Sequence, residues 1–138
     1  MYFTTDRELA RGWATHLDFE GGGSLYRVRP APPSSLELDP DYPGVGFAAR
    51  RAVVLEVVED LVEMDDEEVQ RVTNGRYTRW EDGSPVYDQD GYMLPPPAAR
   101  DAGAPAEAYR HFGRWFTIPP GFIVGWLGHG EAFLHPRQ

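Results

Sequence analysis

Tyr2-Phe3-Thr4-Thr5, Leu25-Tyr26-Arg27-Val28-Arg29-Pro30 and Glu37-Leu38-Asp39-Pro40 are the blocks whose reading decides the fold. The first reads as a strand running into a helix. Thr5 with Glu8 three residues later fits a capping box, in which each side chain satisfies an orphan backbone donor. Leu9, Ala10, Trp13, Ala14 and Leu17 then recur at helical spacing and predict a helix of about three turns. Gly21-Gly22-Gly23 ends it. Leu25 to Arg29 alternates around Tyr26 and Val28, which predicts a strand with Arg27 and Arg29 on its wetter face. The run Pro30-Ala31-Pro32-Pro33-Ser34-Ser35 is short of backbone donors and cannot be a central strand. Glu37 and Asp39 are therefore expected on an extended segment or loop just past a sheet edge. Asp41 to Gly46 reads as a turn. Ala52-Val53-Val54-Leu55-Glu56-Val57-Val58, rich in β-branched valine, reads as a buried strand.

Farther along, Asp65 and Glu68 repeat the cap-and-return pattern, predicting a helix through Val72 that stops near Asn74-Gly75. Its acidic first turn suits the helix dipole and needs no metal. Arg76 to Trp80 and Pro85 to Asp88 flank a turn at Asp82-Gly83 and read as a hairpin. A second turn at Asp90-Gly91 leads into Tyr92-Met93-Leu94. Asp82, Asp88 and Asp90 fail the calcium-loop spacing: a loop with Gly91 at its glycine position would begin at Val86, and no glutamate closes it. Pro95-Pro96-Pro97 and Ala98 to Pro105 read as an extended connector. Glu107 to Phe112 reads as a short helix ended by Gly113. Arg114 to Ile118 and Phe122 to Leu127 read as two strands around Pro119-Pro120-Gly121, an apolar region suited to a core or an oligomer face. His16, His111, His129 and His135 include no pair at metal-ligand spacing, and no metal site is expected.

The 138 residues fit one domain. Aromatic residues make up 13% of the chain, which is enough to build a core despite its many turns. There is no cysteine, hence no disulfide framework, thiolate metal site or thiol nucleophile. No apolar h-region occupies the first twenty or so residues and no apolar run approaches a membrane span, so a cytoplasmic protein without a membrane partner is expected. The formal charge of −9, from 22 acidic and 13 basic residues, repels nucleic-acid phosphates at long range and argues against nucleic-acid binding.

The ordered set Tyr-Phe-Thr-Thr, a capped helix bearing Trp-Ala, Tyr-x-Val-x-Pro, Glu-Leu-Asp-Pro, Pro-Gly, an arginine and a valine-rich strand resembles the small bacterial rifamycin ADP-ribosyltransferases and related ADP-ribosyltransferase-like domains, of bacteria or phages. The resemblance spans roughly residues 1 to 60. It implies an α+β fold, a split β-sandwich with short helices around a cleft for NAD. Residues 1–75 would form this part, and residues 76–138 a strand-rich C-terminal elaboration with hairpins. It places Tyr2 beside the nicotinamide, makes Asp39 the catalytic acidic residue and puts Arg50 at a family arginine. Tyr2, Thr4 and Arg50 form the candidate NAD-binding set. The family's cleft histidine lies upstream of the tyrosine, where this sequence has only Met1.

An acid suits Asp39 because cleavage of the nicotinamide–ribose bond develops positive charge on the sugar. A fixed carboxylate stabilises that charge or takes the acceptor's proton. Two functions follow as expectations: mono-ADP-ribosyl transfer from NAD to a small-molecule or protein acceptor, or noncatalytic binding by an acidic interaction protein. Plain readings stand beside both. Aspartate before proline initiates turns, a tyrosine on a first strand fills cores, and the apolar C-terminal strands fit a homo-oligomer face.

Overall fold

The computed structural model describes residues 1–15 and 23–138. His16, Leu17 and the predicted helix stop at Gly21-Gly22 lie outside the described residues. The chain combines short helices with small antiparallel sheets, an α+β arrangement, and divides into two compact units, Met1–Thr73 and Asn74–Gln138.

The N-terminal unit runs β1 (Tyr2–Thr4), α1 (Arg7–Thr15), β2 (Leu25–Pro30), β3 (Glu37–Leu38), β4 (Gly46–Ala48), β5 (Ala52–Glu59) and α2 (Asp66–Gln70). β1, β4 and β3 form one antiparallel sheet in that order, with Tyr2 opposite Ala48 and Thr4 opposite Gly46. β2 and β5 form a separate two-stranded ribbon with two register irregularities, one between Leu25 and Tyr26 and one between Arg27 and Val28.

Helix α1 is capped by Asp6, a correction to the expected Thr5. The Asp6 carboxylate accepts the Glu8 and Leu9 N–H groups at 3.0 and 3.3 Å, while Thr4 Oγ1 accepts the Asp6 N–H at 3.0 Å. Because the first helical residue is Arg7, the carboxylate just before it reaches the orphan donors. Leu9 is fully buried, and Ala14 packs with Leu25 and Val62. Gly12 allows a close approach: a Cβ there would lie 3.0 Å from Val72 Cγ2. Arg11 ties the helix to the ribbon, its Nε 3.1 Å from Glu59 Oε2 and its Nη2 3.2 Å from the Glu63 carbonyl. Hydrogen bonding to Glu59 holds the guanidinium pKa above its ordinary value. At α2 the expected cap is present, Asp65 Oδ1 accepting the Glu68 N–H at 2.8 Å. The helix then widens into a π-helical turn over Arg71–Gly75.

β5 forms where its composition predicts, but it is not buried. Val53, Val54, Leu55, Val57 and Val58 are all exposed, Val54 by 55%, and the two register irregularities leave Leu55 and Val58 as the extra residues of this strand. The run of β-branched residues reflects strand propensity on either face. With β2 as its one paired neighbour among the described residues, no second layer covers it. Tyr26, expected on the drier face of β2, is likewise about half exposed.

The C-terminal unit contains α3 (Pro97–Asp101), a 3₁₀ helix over Ala106–Phe112, β6 (Phe122–Gly125) and β7 (Phe133–Pro136). Its core is Val86, Tyr87, Met93, Ala108, Tyr109 and Ala132, packed by Trp80, Trp115, Phe116 and Trp126. Three expectations change here. Ala98 to Asp101 is helical instead of extended, because Pro97 at the first helical position needs no donor and has its φ preset. β6 pairs with β7 and not with the Arg114–Ile118 segment, which keeps a single bridge from Arg114 to Tyr92. Positive φ at Gly113 (84°) and Trp115 (56°) breaks that segment's extended run. The hairpin around Asp82-Gly83 is likewise reduced to a single bridge, Arg79 to Pro85. Among the described residues no helix is long and apolar enough to cross a membrane.

Two measurements check this unit. Gly91 has φ 90°, and a Cβ on it would lie 2.5 Å from the Trp115 ring. Gly83 has φ 84° and open space. Chemical denaturation is expected to show a loss of about 2–4 kcal/mol for Gly91→Ala, from positive φ and overpacking together, and of about 1 kcal/mol for Gly83→Ala from φ alone. Separately, bonds from the Ser84 hydroxyl and then from Arg100 hold the Asp82 carboxyl at about 2. A carboxyl lowered in the folded state lends stability above the ordinary carboxylate range and loses it as pH falls through about 2. A carboxyl-carbon NMR titration is expected to give that midpoint, moving upward in Ser84→Ala. An ordinary midpoint in the unaltered protein would contradict the Ser84–Asp82–Arg100 cluster.

Candidate functional site

An open cleft of the N-terminal unit has a volume of about 1070 Å³, just above the usual range for small-molecule sites. Five elements wall it, β4 through Phe47 alone. β1 brings Tyr2 and Thr4, α1 brings Arg7 and Trp13, β2 brings Tyr26 and Arg27, and β5 brings Glu56 and Val58. Tyr2 is 69% exposed, its ring an open wall and not core filler. Trp13 is steadied from outside the cleft by Tyr42, the rings meeting edge to face at 5.3 Å. Phe3 and Phe47, which pair across β1 and β4, also reach the lining.

Among the described residues, the lining holds two arginines and one carboxylate. Arg27 Nε lies 3.2 Å from Glu56 Oε1, both side chains more than half exposed, so this pair holds little energy and is open to exchange. Arg7 has no ion pair among the described residues. Aromatic faces, a guanidinium and the Thr4 and Thr5 hydroxyls provide stacking, anion pairing and hydrogen bonding in one place.

The candidate residues divide. Tyr2 and Thr4 line the cleft together. Asp39 and Arg50 do not. Asp39, 8% exposed, sits at the start of the turn after β3. Its Oδ1 accepts the Asp41 N–H at 3.0 Å, its N–H donates to the Gly46 carbonyl at 2.9 Å, and its carbonyl accepts the Tyr42 N–H at 3.2 Å. This is an Asx turn, the plain alternative for an aspartate before proline. Arg50 is exposed in the link between β4 and β5. Arg7, Trp13, Tyr26, Arg27 and Glu56 are lining residues that sequence reasoning did not single out. Alternation on β2 marked Arg27 as facing solvent, but nothing local distinguishes a cleft-facing arginine from one in open water. Among the described residues no three His, Asp or Glu side chains are grouped to hold a metal ion.

The turn holding Asp39 is tightly made. A Cβ on Gly46 would lie 2.7 Å from Tyr42 Cβ and 3.0 Å from Asp39 Cβ. Gly46→Ala is expected to destabilise the protein by about 1–3 kcal/mol in urea denaturation. Asp39→Ala should cost about 1 kcal/mol, while Asp39→Asn keeps most of the stability through its amide oxygen. Equal losses for the two Asp39 variants would mean that the Asx bond contributes nothing.

No protein-family model, curated protein or solved structure matches this chain.

Proposed function

We propose that the N-terminal unit is an ADP-ribosyltransferase-like domain that binds NAD in this cleft, with Tyr2 against the nicotinamide and Arg7 near the pyrophosphate. The observation that carries the reading is the shared presence of Tyr2 and Thr4, both picked out by the sequence resemblance, in a large cleft lined by aromatics and arginine. A dinucleotide offers two aromatic rings for stacking and two phosphates for a guanidinium, and these lining groups match those needs. The two small sheets, β1-β4-β3 and β2-β5, are on this reading the leaves of the family's split sandwich. In the transfer the acceptor atom bonds to the ribose C1′ as the nicotinamide nitrogen leaves with the bonding pair, and the acceptor's proton passes to a base.

A second reading, noncatalytic binding, is favoured by Asp39. Its carboxylate is engaged in a backbone turn and lies outside the cleft lining. A general base needs hydrogen-bond reach to the proton it removes, so Asp39 serves transfer only if the turn opens.

Calorimetric titration with NAD and a nicotinamide-release assay separate the two. Binding that weakens about tenfold or more in Tyr2→Ala and Arg7→Ala supports the cleft assignment. Nicotinamide release that falls about 10²–10⁴-fold in Asp39→Asn, a variant expected to keep its fold, supports transfer. Binding without release supports the noncatalytic reading. Absence of NAD binding by folded protein overturns the assignment.

A further inference from the structure

The turn from Asp39 to Gly46 contributes no residue but Tyr42 to the packing of the cleft's aromatic rings, and Tyr42 does so without lining the cleft itself. Trp13 is the one aromatic ring that α1 brings to the lining among the described residues. Ala10, one turn before it in the same lining, is too small to fix an indole's rotamer. Tyr42 meets that indole edge to face, the ring centroids 5.3 Å apart and the planes at 77°. A pair of this geometry corresponds to about a threefold to tenfold change in an equilibrium constant.

The backbone of Tyr42 is held from both directions. Its N–H donates to the Asp39 carbonyl at 3.2 Å, and its carbonyl accepts the Val45 and Gly46 N–H groups at 3.2 and 2.8 Å. Asp39 Oδ1 accepts the Asp41 N–H at 3.0 Å and so fixes the residue just before it. Gly46 packs on it closely enough that an added Cβ would lie 2.7 Å from Tyr42 Cβ. The turn is also fastened to the approach to α1, the Thr5 N–H donating to the Val45 carbonyl at 3.0 Å, so the brace and the helix that bears Trp13 share one frame. The geometry points to Tyr42 as a positioning residue of the cleft. The Asp39–Gly46 turn is its mount, and the Trp13 indole is the wall it holds in place. A ring already fixed spares a ligand the entropy cost of ordering it on binding. Asp39 thereby acts on the cleft with neither proton transfer nor contact with ligand. The consequence for affinity rests on the NAD assignment above; the placement of Trp13 does not.

Indole N–H signals in a nitrogen-15 NMR spectrum of the full chain test the placement, and calorimetric titration with NAD tests its consequence. The chain has four tryptophans, and Trp13→Phe identifies the signal of Trp13. Tyr42→Leu is expected to move that signal and leave the other three in place, whereas Tyr42→Phe, which keeps the ring, moves it less. Asp39→Ala should move it too, while Asp39→Asn, which keeps the turn, leaves it where it is. NAD affinity should fall about threefold to tenfold in Tyr42→Leu and stay within about twofold of the unaltered protein in Tyr42→Phe. With Trp13→Ala already present, Tyr42→Leu should add no further loss, because the pair it breaks is gone. A Tyr42→Leu protein that is folded by circular dichroism and whose Trp13 signal does not move overturns the proposal, as does an equal loss of affinity on the Trp13→Ala background. Where Tyr42→Leu fails to fold, an unmoved Trp13 signal in Asp39→Ala overturns it. If the unaltered protein binds no NAD, the NAD reading fails, and the spectra alone decide whether Tyr42 holds Trp13.

Discussion

The antiparallel ladder between β2 and β5 is the constraint from which the N-terminal unit follows. It fixes Arg27 opposite Glu56 and Leu25 opposite Glu59. Leu25 then forms a small buried cluster with Ala14 and Val62, while Glu59 meets Arg11. One ribbon end is thus fastened to helix α1 by packing and by a partly exposed ion pair. Among the described residues the rest of the ribbon has no such cover, and space is left beside Tyr26 and Arg27. The cleft is this uncovered part of a structure whose core is small. Burial of a few residues stabilises modestly at roughly 25 cal/mol per Å², so backbone hydrogen bonding and turn geometry carry an unusual share of the order.

The turn from Asp39 to Gly46 illustrates that division. Its hydrogen bonds satisfy backbone groups that a loop would otherwise leave to water, and Gly46 supplies the close approach that lets the chain return as β4. β4 in turn sets Phe47 opposite Phe3 at the cleft. Asp39 therefore affects the cleft through the backbone it organises, whatever chemistry its carboxylate undertakes. A residue fixed this way is well positioned and poorly mobile. Positioning favours catalysis only when the fixed direction points at substrate, and here the carboxylate points at the Asp41 amide.

Signals within a few residues of each other were legible in the sequence. The strands at Tyr2–Thr4, Leu25–Pro30 and Ala52–Glu59, the Asp65 cap and the turn after Asp39 all follow from side-chain period, capping chemistry and proline placement. What depends on distant partners was not. β5 carries the composition of a buried strand because propensity records fit to a pleated backbone, while burial depends on what else covers it. β6 pairs with β7, ten or so residues on, because Gly113 and Trp115 adopt left-handed φ and break the nearer candidate. Trp115 in that region is uncommon for a bulky residue, and its ring rests on Gly91, a tertiary contact no local pattern announces. The site divides the same way: Tyr2 and Thr4 share a strand and arrive together, whereas Arg7, Trp13 and Arg27 meet them only through folding.

Net charge and local charge lead to different conclusions about ligands, and distance decides between them. The chain's −9 repels anions on approach, but at physiological ionic strength charges more than about 8 Å apart are largely screened. Inside the cleft the nearest fixed charges govern. Arg27 is matched by Glu56 at 3.2 Å, while Arg7 has no such partner among the described residues. Screening also limits what that arginine supplies at an open surface, where a single ion pair contributes little. On the proposed reading, affinity would come mainly from the aromatic walls, with the arginine setting orientation. An acidic surface is thus compatible with an anionic ligand that carries ring systems, and it disfavours a polyanion whose phosphates would extend beyond the cleft into the field of the whole chain.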